Sequence, residues 1–215
     1  MRVGIMTGGN VDVAFVRKYS SEKPVDFWIG VDHGMEALYE LGILPCCIVG
    51  DFDSVDPKVL RYYRSQEGID WHEFCPVKDD TDTELAIRQA IGQRPDQIVI
   101  FGGTGTRLDH VLGTIHVMKK ALDQGIHCEM ADPHNRIYLL RGEKQFRKEE
   151  LFGPYISFLP FGGAVHGLTL RGFRYPLEQR TVEPGSSLTI SNELAESEAL
   201  FQLTEGVVIC VEARD

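Results

Sequence analysis

The sequence has no run of lysine and arginine: 22 basic residues face 32 acidic ones, for a net charge of −10. That balance excludes a nucleic-acid or anionic-membrane binder, whose recognition needs a basic face. No stretch approaches the ~20 apolar residues of a membrane span, and Met1–Gly9 is too poor in apolar residues for a signal peptide. A soluble, cytoplasmic protein is expected. Cysteine is sparse and odd in number, five residues without a CxxC pair, which points to reduced structural thiols rather than a disulfide framework. His33, His72, His116, His127, His134 and His166 share no metal-ligand spacing, so zinc is not expected from the pattern. GxxxxGK[ST], GxGxxG and the Gly-x-Ser-x-Gly elbow are all missing, and no cysteine has a nucleophile's surroundings. These absences favour electrostatic, metal-assisted chemistry over covalent catalysis.

What is present is an ordinary globular composition, 43% hydrophobic and 25% charged over 215 residues. Strand-like runs at 2–6, 25–31, 46–49, 71–75, 97–101 and 127–131 alternate with helical patterns. Asp56-Pro57 starts a helix over 58–66, and Thr81 with Glu84 has capping-box spacing before 85–91. Leu108, Val111, Leu112, Ile115, Met118 and Leu122 mark one apolar face of a single helix over 107–122. The alternation predicts an α/β half with a largely parallel sheet and flanking helices. After Asp132 the pattern changes to short β-type runs at 137–140, 155–159, 165–170, 187–190, 200–203 and 207–211. They predict a C-terminal antiparallel β-sandwich or barrel. The expected domains are 1–132, catalytic, and 136–215, β-rich.

In open α/β sheets ligands bind beyond the carboxyl ends of the strands. Thr7, Asp32, the Asp51/Asp53 pair, Lys78–Asp82 and Gly102–Arg107 all fall there. An extended Asp51-Phe52-Asp53 aims both carboxylates the same way, where they repel unless a cation intervenes. A hard divalent ion carrying phosphates suits that pair, and a solvated acidic turn is the alternative. Asp79, Asp80, Asp82 and Glu84 put four acids in six residues, more than a helix cap requires, with Lys78 available to an acid or a phosphate. Gly102–Thr106 sits between strand and helix, as a phosphate-cradling loop does, with Arg107, Asp109 and His110 following. Asp109 is equally placed to favour the helix dipole by ~0.3–1 kcal/mol.

Asp32-His33-Gly34, Gly50-Asp51-Phe52-Asp53-Ser54, Lys78-Asp79-Asp80-Thr81-Asp82 and Gly102-Gly103-Thr104-Gly105-Thr106-Arg107-Leu108-Asp109-His110 occur in order, with a late Ser191-Asn192. Together they closely resemble the thiamine pyrophosphokinase family over essentially the whole chain. The resemblance implies a homodimer that transfers the pyrophosphoryl group of ATP to thiamine, with Mg²⁺, giving thiamine diphosphate and AMP. It implies a metal held by Asp51, Asp53 and Asp82, with Asp32 and Asp109 nearby. It further implies nucleotide contacts from Gly103, Thr104, Arg107 and the Thr81 turn, to which Lys78 and His110 are added as neighbours. Ser191 and Asn192 match the family's thiamine-side segment near the dimer interface. His33 and Thr106 stand where the family commonly has glycine.

Three other readings share parts of this pattern. Asp51-Phe52-Asp53-Ser54-Val55 fits the nucleophile motif of haloacid-dehalogenase-type phosphatases, although Arg107–His110 and a β-rich tail have no place there. A pyrophosphokinase acting on a pterin alcohol would use the same nucleotide half. A non-catalytic nucleotide sensor would bind ATP without forming AMP.

Overall fold

The computed structural model describes residues 1–73, 80–105 and 107–215, so the expectations for Cys75, Lys78, Asp79 and Thr106 lie outside the described residues. Two compact units divide the chain, Met1–Pro133 and His134–Asp215.

In the first unit β1 (Arg2–Met6), β2 (Phe27–Val31), β3 (Cys47–Gly50), β4 (Asp70–Glu73), β5 (Gln97–Phe101) and β6 (His127–Ala131) pair in parallel, in the order β4-β3-β2-β1-β5-β6. Helices α1 (Val13–Glu22), α2 (Gly34–Leu41), α3 (Pro57–Arg64), α4 (Asp82–Gly92), α5 (Leu108–Val117) and α6 (Lys119–Asp123) connect them. Side chains alternate across the strands. Met6, Trp28, Ile48 and Phe101 meet Val16, Met35, Leu38, Val59 and Tyr63 of α1 to α3 in one cluster. Ile5, Ile29, Val49 and Ile100 are fully or nearly buried on the alternate positions, and Ala86, Ile87 and Ala90 of α4 are buried too.

Local chemistry accounts for most boundaries. Asp56 caps α3 by accepting from Lys58 N, with Pro57 in the first turn, and Gly42 ends α2 in the left-handed region at φ 72°. Thr81 Oγ1 accepts from Glu84 N at 3.2 Å, while the Glu84 carboxylate turns to Arg88 and Lys120 instead of closing a reciprocal box. Helix α1 has no counterpart in the sequence-based expectation. Its start is written only in Asp12, whose carboxylate accepts from Phe15 N at 2.8 Å. The single helix expected over 107–122 is instead two, α5 and α6, meeting at Met118. Its apolar face also divides: Ile115 and Met118 are buried, whereas Leu108 and Leu112 are 71% and 56% exposed. The first turns of α5 line a cavity with Arg107, His110 and Thr114, which rotates the leucines outward.

The second unit is antiparallel. β7 (Asn135–Leu140), β13 (Val208–Ala213) and β9 (Tyr155–Pro160) pair in that order, and β11 (Leu177–Val182), β10 (Val165–Arg171), β12 (Glu198–Gln202) and β8 (Glu143–Arg147) form a four-stranded sheet. Phe158 of β9 lies 4.9 Å from Phe201 of β12 and 6.0 Å from Phe146 of β8, so the aromatic rings join the two layers as in a sandwich. Strands β8 and β11 escape a hydrophobicity reading because their sequences, EKQFR and LEQRTV, are largely polar. The expected run at 187–190 is not a strand. Ile190 N closes a turn on Ser187 O, and the buried Thr189 hydroxyl donates to Phe158 O.

Burial pushes the Cys47 and Cys210 thiols up to about 12, and Cys128 higher still. The buried glutamates are paired. Glu129 of β6 accepts from Tyr19 Oη at 2.6 Å. Glu212, 1% exposed, accepts from the Arg136 guanidinium, from Tyr138 Oη at 2.7 Å and from Phe152 N at 2.8 Å. Burial, followed by the neighbouring Cys210 and Glu212, holds the Tyr138 hydroxyl protonated and therefore donating. Removing that carboxylate takes the anionic partner from a guanidinium in a low-dielectric interior. Glu212→Ala is accordingly expected to cost about 3 kcal/mol or more in urea unfolding. A loss below about 1 kcal/mol would show the carboxylate to be a minor support.

Candidate functional site

The strand order reverses direction between β1 and β5, and that is where the loops leaving these strands part to make room for a ligand. Thr7 N donates to Phe101 O at 2.9 Å and Asn10 N to Thr104 O at 3.1 Å, so 7–10 and 102–105 are tied as one cradle. The fit allows no side chain at Gly9, where a Cβ would come within 2.1 Å of Gly102 O. Beyond the cradle lies a cavity of about 700 Å³ whose described walls include Gly8, Asp32, Asp82, Gly103, Arg107 and His110. Its volume suits a small organic ligand.

Asp32, Asp80 and Asp82 line the cavity, whereas Asp51, Asp53, Thr104 and Asp109 are not among its lining residues. Asp32 leaves β2 in the left-handed region, φ 43°, and its Oδ1 accepts from Asp51 N at 3.1 Å. Gly50 is required beneath it, since a Cβ there would fall 1.7 Å from that oxygen. Burial, then the charges of Asp82 and Asp51, push the Asp32 carboxyl up from its ordinary 3.8 to about 6, and a hydrogen bond shared with Asp82 adds to the rise. Three acids from β2, β3 and α4 therefore converge, with Asp32 at their centre. An oxygen-only donor set of this charge suits a hard divalent cation.

The extended backbone expected between Asp51 and Asp53 is not what forms. Phe52 takes φ 64° and buries its ring edge-on against Trp71 at 5.3 Å, with the Arg64 guanidinium 3.9 Å from the Trp71 centroid. Asp51 is left half-buried beside Asp32, while Asp53 is exposed and its N donates back to Asp51 Oδ1 at 3.2 Å. Across the cavity mouth Arg107 pairs with Asp109 at 2.6 Å, both largely exposed. The hydrogen bond from Arg107 holds the Asp109 carboxyl below the usual range.

The acidic run divides by role. Asp82 meets Asp32, whereas Asp80 accepts from Arg88 at 2.7 and 3.2 Å, although it also borders the cavity. Thr81 lines the cavity from the helix cap, and the Thr104 carbonyl is engaged by Asn10. Lys78 lies outside the described residues. In the second unit Ser191 adopts φ 56° and is exposed, its N donating to Ser157 Oγ at 2.9 Å. Asn192 is 2% exposed, and its amide is engaged by Tyr175 and Glu193 backbone at 2.9 to 3.0 Å.

Gly8, Gly9, Asn10, His33, Ser54 and Thr114 also line the cavity and were not in the expected site. Thr7-Gly8-Gly9-Asn10, four small or polar residues directly after a strand, was the available signal. His33 is held by Glu36 at 3.1 Å, and the same Glu36 oxygen accepts from Asp56 N at 2.9 Å, coupling α2 to the loop that bears Asp51.

The crowding has a testable consequence. A carboxyl raised in the folded state binds more protons there than in the unfolded chain, so stability is lost as pH rises from about 4 to about 6. Asp32→Asn retains the acceptor oxygen and tolerates the left-handed backbone. With solvent screening discounted, it is expected to stabilise the ligand-free protein by on the order of 1–2 kcal/mol, a few degrees in Tm, above pH 6 and not below pH 4. A Tm difference independent of pH would refute the electrostatic origin.

Comparison with known proteins adds an independent line. The thiamin pyrophosphokinase catalytic-domain family model matches residues 19–130, and the thiamin pyrophosphokinase vitamin B1 binding-domain model matches 143–208. Thiamine pyrophosphokinase of Bacillus subtilis (strain 168) is 37% identical over 215 residues, 99% of each chain. A solved thiamine pyrophosphokinase structure from Bacillus subtilis has a TM-score of 0.89 at 34% identity, covering 100% of both chains. One from Geobacillus thermodenitrificans has a TM-score of 0.87 at 33% identity, covering 100% of this chain and 98% of the other. With its sequence, its two domain matches and its fold in agreement, this chain belongs to the thiamine pyrophosphokinase family.

Proposed function

We propose that this chain transfers the pyrophosphoryl group of ATP to the hydroxyl of thiamine, giving thiamine diphosphate and AMP. The observation that carries the reading is the carboxylate cluster facing a glycine cradle at the switch point of the sheet, in a chain of this family. The phosphatase, pterin and sensor readings draw no support from the relatives.

The donor set fits Mg²⁺. Asp51 and Asp82, with Asp53 on the outer side and Asp32 against both, would hold it, and the raised proton affinity of Asp32 marks where positive charge is wanted. When bound, the ion would neutralise phosphate charge. The chain's own contribution is positioning. Backbone groups of 8–10 and 102–105 cradle the phosphates, aided by Gly103 and Thr104, and Thr81 and His110 flank them. Arg107 lies at the rim, where its guanidinium can meet charge that grows on the phosphates as the bond to AMP breaks. The thiamine oxygen attacks the β-phosphorus, the bond to the AMP oxygen breaks, and the hydroxyl proton is released. A loose transition state needs little help from a strong base. Asp109, held ionised by Arg107, suits aiming that guanidinium better than accepting the proton. Ser191 and Asn192 are assigned to the thiamine side, within a homodimer. The fixed backbone that Asn192 braces around Tyr175 supports a positioning role for it.

Incubation with Mg-ATP and thiamine is expected to yield AMP and thiamine diphosphate in equal amounts; ADP as the product would overturn the reading. Asp82→Asn and Arg107→Ala should each lower kcat by about 10²–10³ with unchanged far-ultraviolet circular dichroism. Asp109→Asn should cost only about tenfold; a loss near the 10²–10⁴ typical of a missing base would make it the proton acceptor.

A further inference from the structure

Away from the cavity, three side chains at the sheet's edge form a group that the phosphoryl chemistry does not use. Cys47 of β3 stands opposite Asp70 of β4 in the parallel register, and His72 is two residues further along β4. Two-residue periodicity places all three on one face. Their ligand atoms, one sulfur, one carboxylate oxygen and one imidazole nitrogen, lie within 4.8 Å of one another. We propose that Cys47, Asp70 and His72 form a second metal site, selective for a thiophilic divalent ion such as Zn²⁺.

The surroundings are graded as an ion would need. Cys47 is buried, the His72 side chain is 27% exposed and the Asp70 side chain 72% exposed, so the sulfur closes the inner side and the outer side is left to water. His72 Nε2 lies 2.8 Å from Asp70 Oδ2, the spacing of two groups sharing a proton that a cation would replace. The other ring nitrogen, Nδ1, faces the Gln89 carboxamide of α4 at 3.4 Å. Turning that amide by half a rotation puts its oxygen on Nδ1–H, which fixes the tautomer that presents Nε2 to a metal. The sulfur sets the selectivity. Mg²⁺ takes hard oxygen donors, whereas a thiolate with imidazole and carboxylate favours Zn²⁺ and its neighbours. Uptake would release the Cys47 thiol proton to solvent.

None of the three borders the described cavity, and Cys47 precedes Asp51 by four residues of strand, roughly 13 Å of extended chain. The site is thus separate from the carboxylate wall. It would clip the edge strand β4 to β3. The histidine spacings gave no hint of it because the sulfur and the imidazole come from different strands.

The test is titration of metal-free, full-length protein with Co²⁺, read by the thiolate-to-cobalt charge-transfer absorption in the near ultraviolet and by Tm. One equivalent is expected to develop the band and raise Tm, and Zn²⁺ to displace it. Oxygen-only ligands, including the carboxylate wall, produce no such band. Cys47→Ser should abolish it and Cys46→Ser should retain it. Asp70→Asn, at an exposed side chain, should weaken binding even if Cys47→Ser folds poorly. Gln89→Ala should weaken binding about 10- to 100-fold. Absence of the band in the unaltered protein, its survival in Cys47→Ser, or full affinity in Asp70→Asn would each overturn the proposal.

Discussion

Repulsion among Asp32, Asp51 and Asp82 is the constraint around which the first unit is built. Each acid arrives on a different element, so no local adjustment separates them; the sheet and α4 would have to part. The protein instead holds Asp32 above Gly50, where only a hydrogen atom fits, and leaves its carboxyl readily protonated. Such an arrangement disfavours the ligand-free state and favours whatever brings positive charge. Affinity for a positively charged ligand would thereby come at the expense of stability without it, a common exchange at functional sites.

Holding the cluster requires backbone that most residues avoid. Asp32 and Phe52 both take positive φ, each at a cost of order 1–3 kcal/mol. Phe52 is held by its ring against Trp71 and by Arg64 across both rings. Glu36 braces the same loop from α2 through Asp56. The apolar cluster under α2 and α3 is therefore the support of the acidic wall as well as a source of stability. Substitutions there would act on the site through Phe52, without touching a ligand.

In the second unit the order comes from the aromatic layer of Phe146, Phe158, Phe173 and Phe201 and from a few buried polar nodes. Glu212 collects Arg136, Tyr138 and Phe152 N, and Asn192 collects Tyr175 and Glu193. Asn192 thus acts as an internal turn former beside Ser191, whose own positive φ marks a rigid, exposed corner. The carboxamide's acceptor and donor are both committed to backbone, so Asn192 acts by shaping that corner.

The sequence by itself determined the class of fold and where a candidate site would lie. Apolar runs alternating with helical periodicity dictate a parallel sheet, and the candidate polar motifs fall at strand ends, where open sheets take ligands. It also determined the caps at Asp56 and Thr81, because these are contacts between near neighbours. It did not reveal α1, whose apolar face is weak, nor β8 and β11, whose polar side chains find their place only once neighbouring strands pair. The break at Met118 and the outward turn of Leu108 and Leu112 depend on the cavity, which no local pattern records. The same holds for the acids: Asp51-x-Asp53 read as a matched pair, yet the left-handed turn at Phe52 separates them and joins Asp51 to Asp32 and Asp82. Only the tertiary structure could decide this, since electrostatic energy depends on distance through space and those three residues are brought together by the order of the strands.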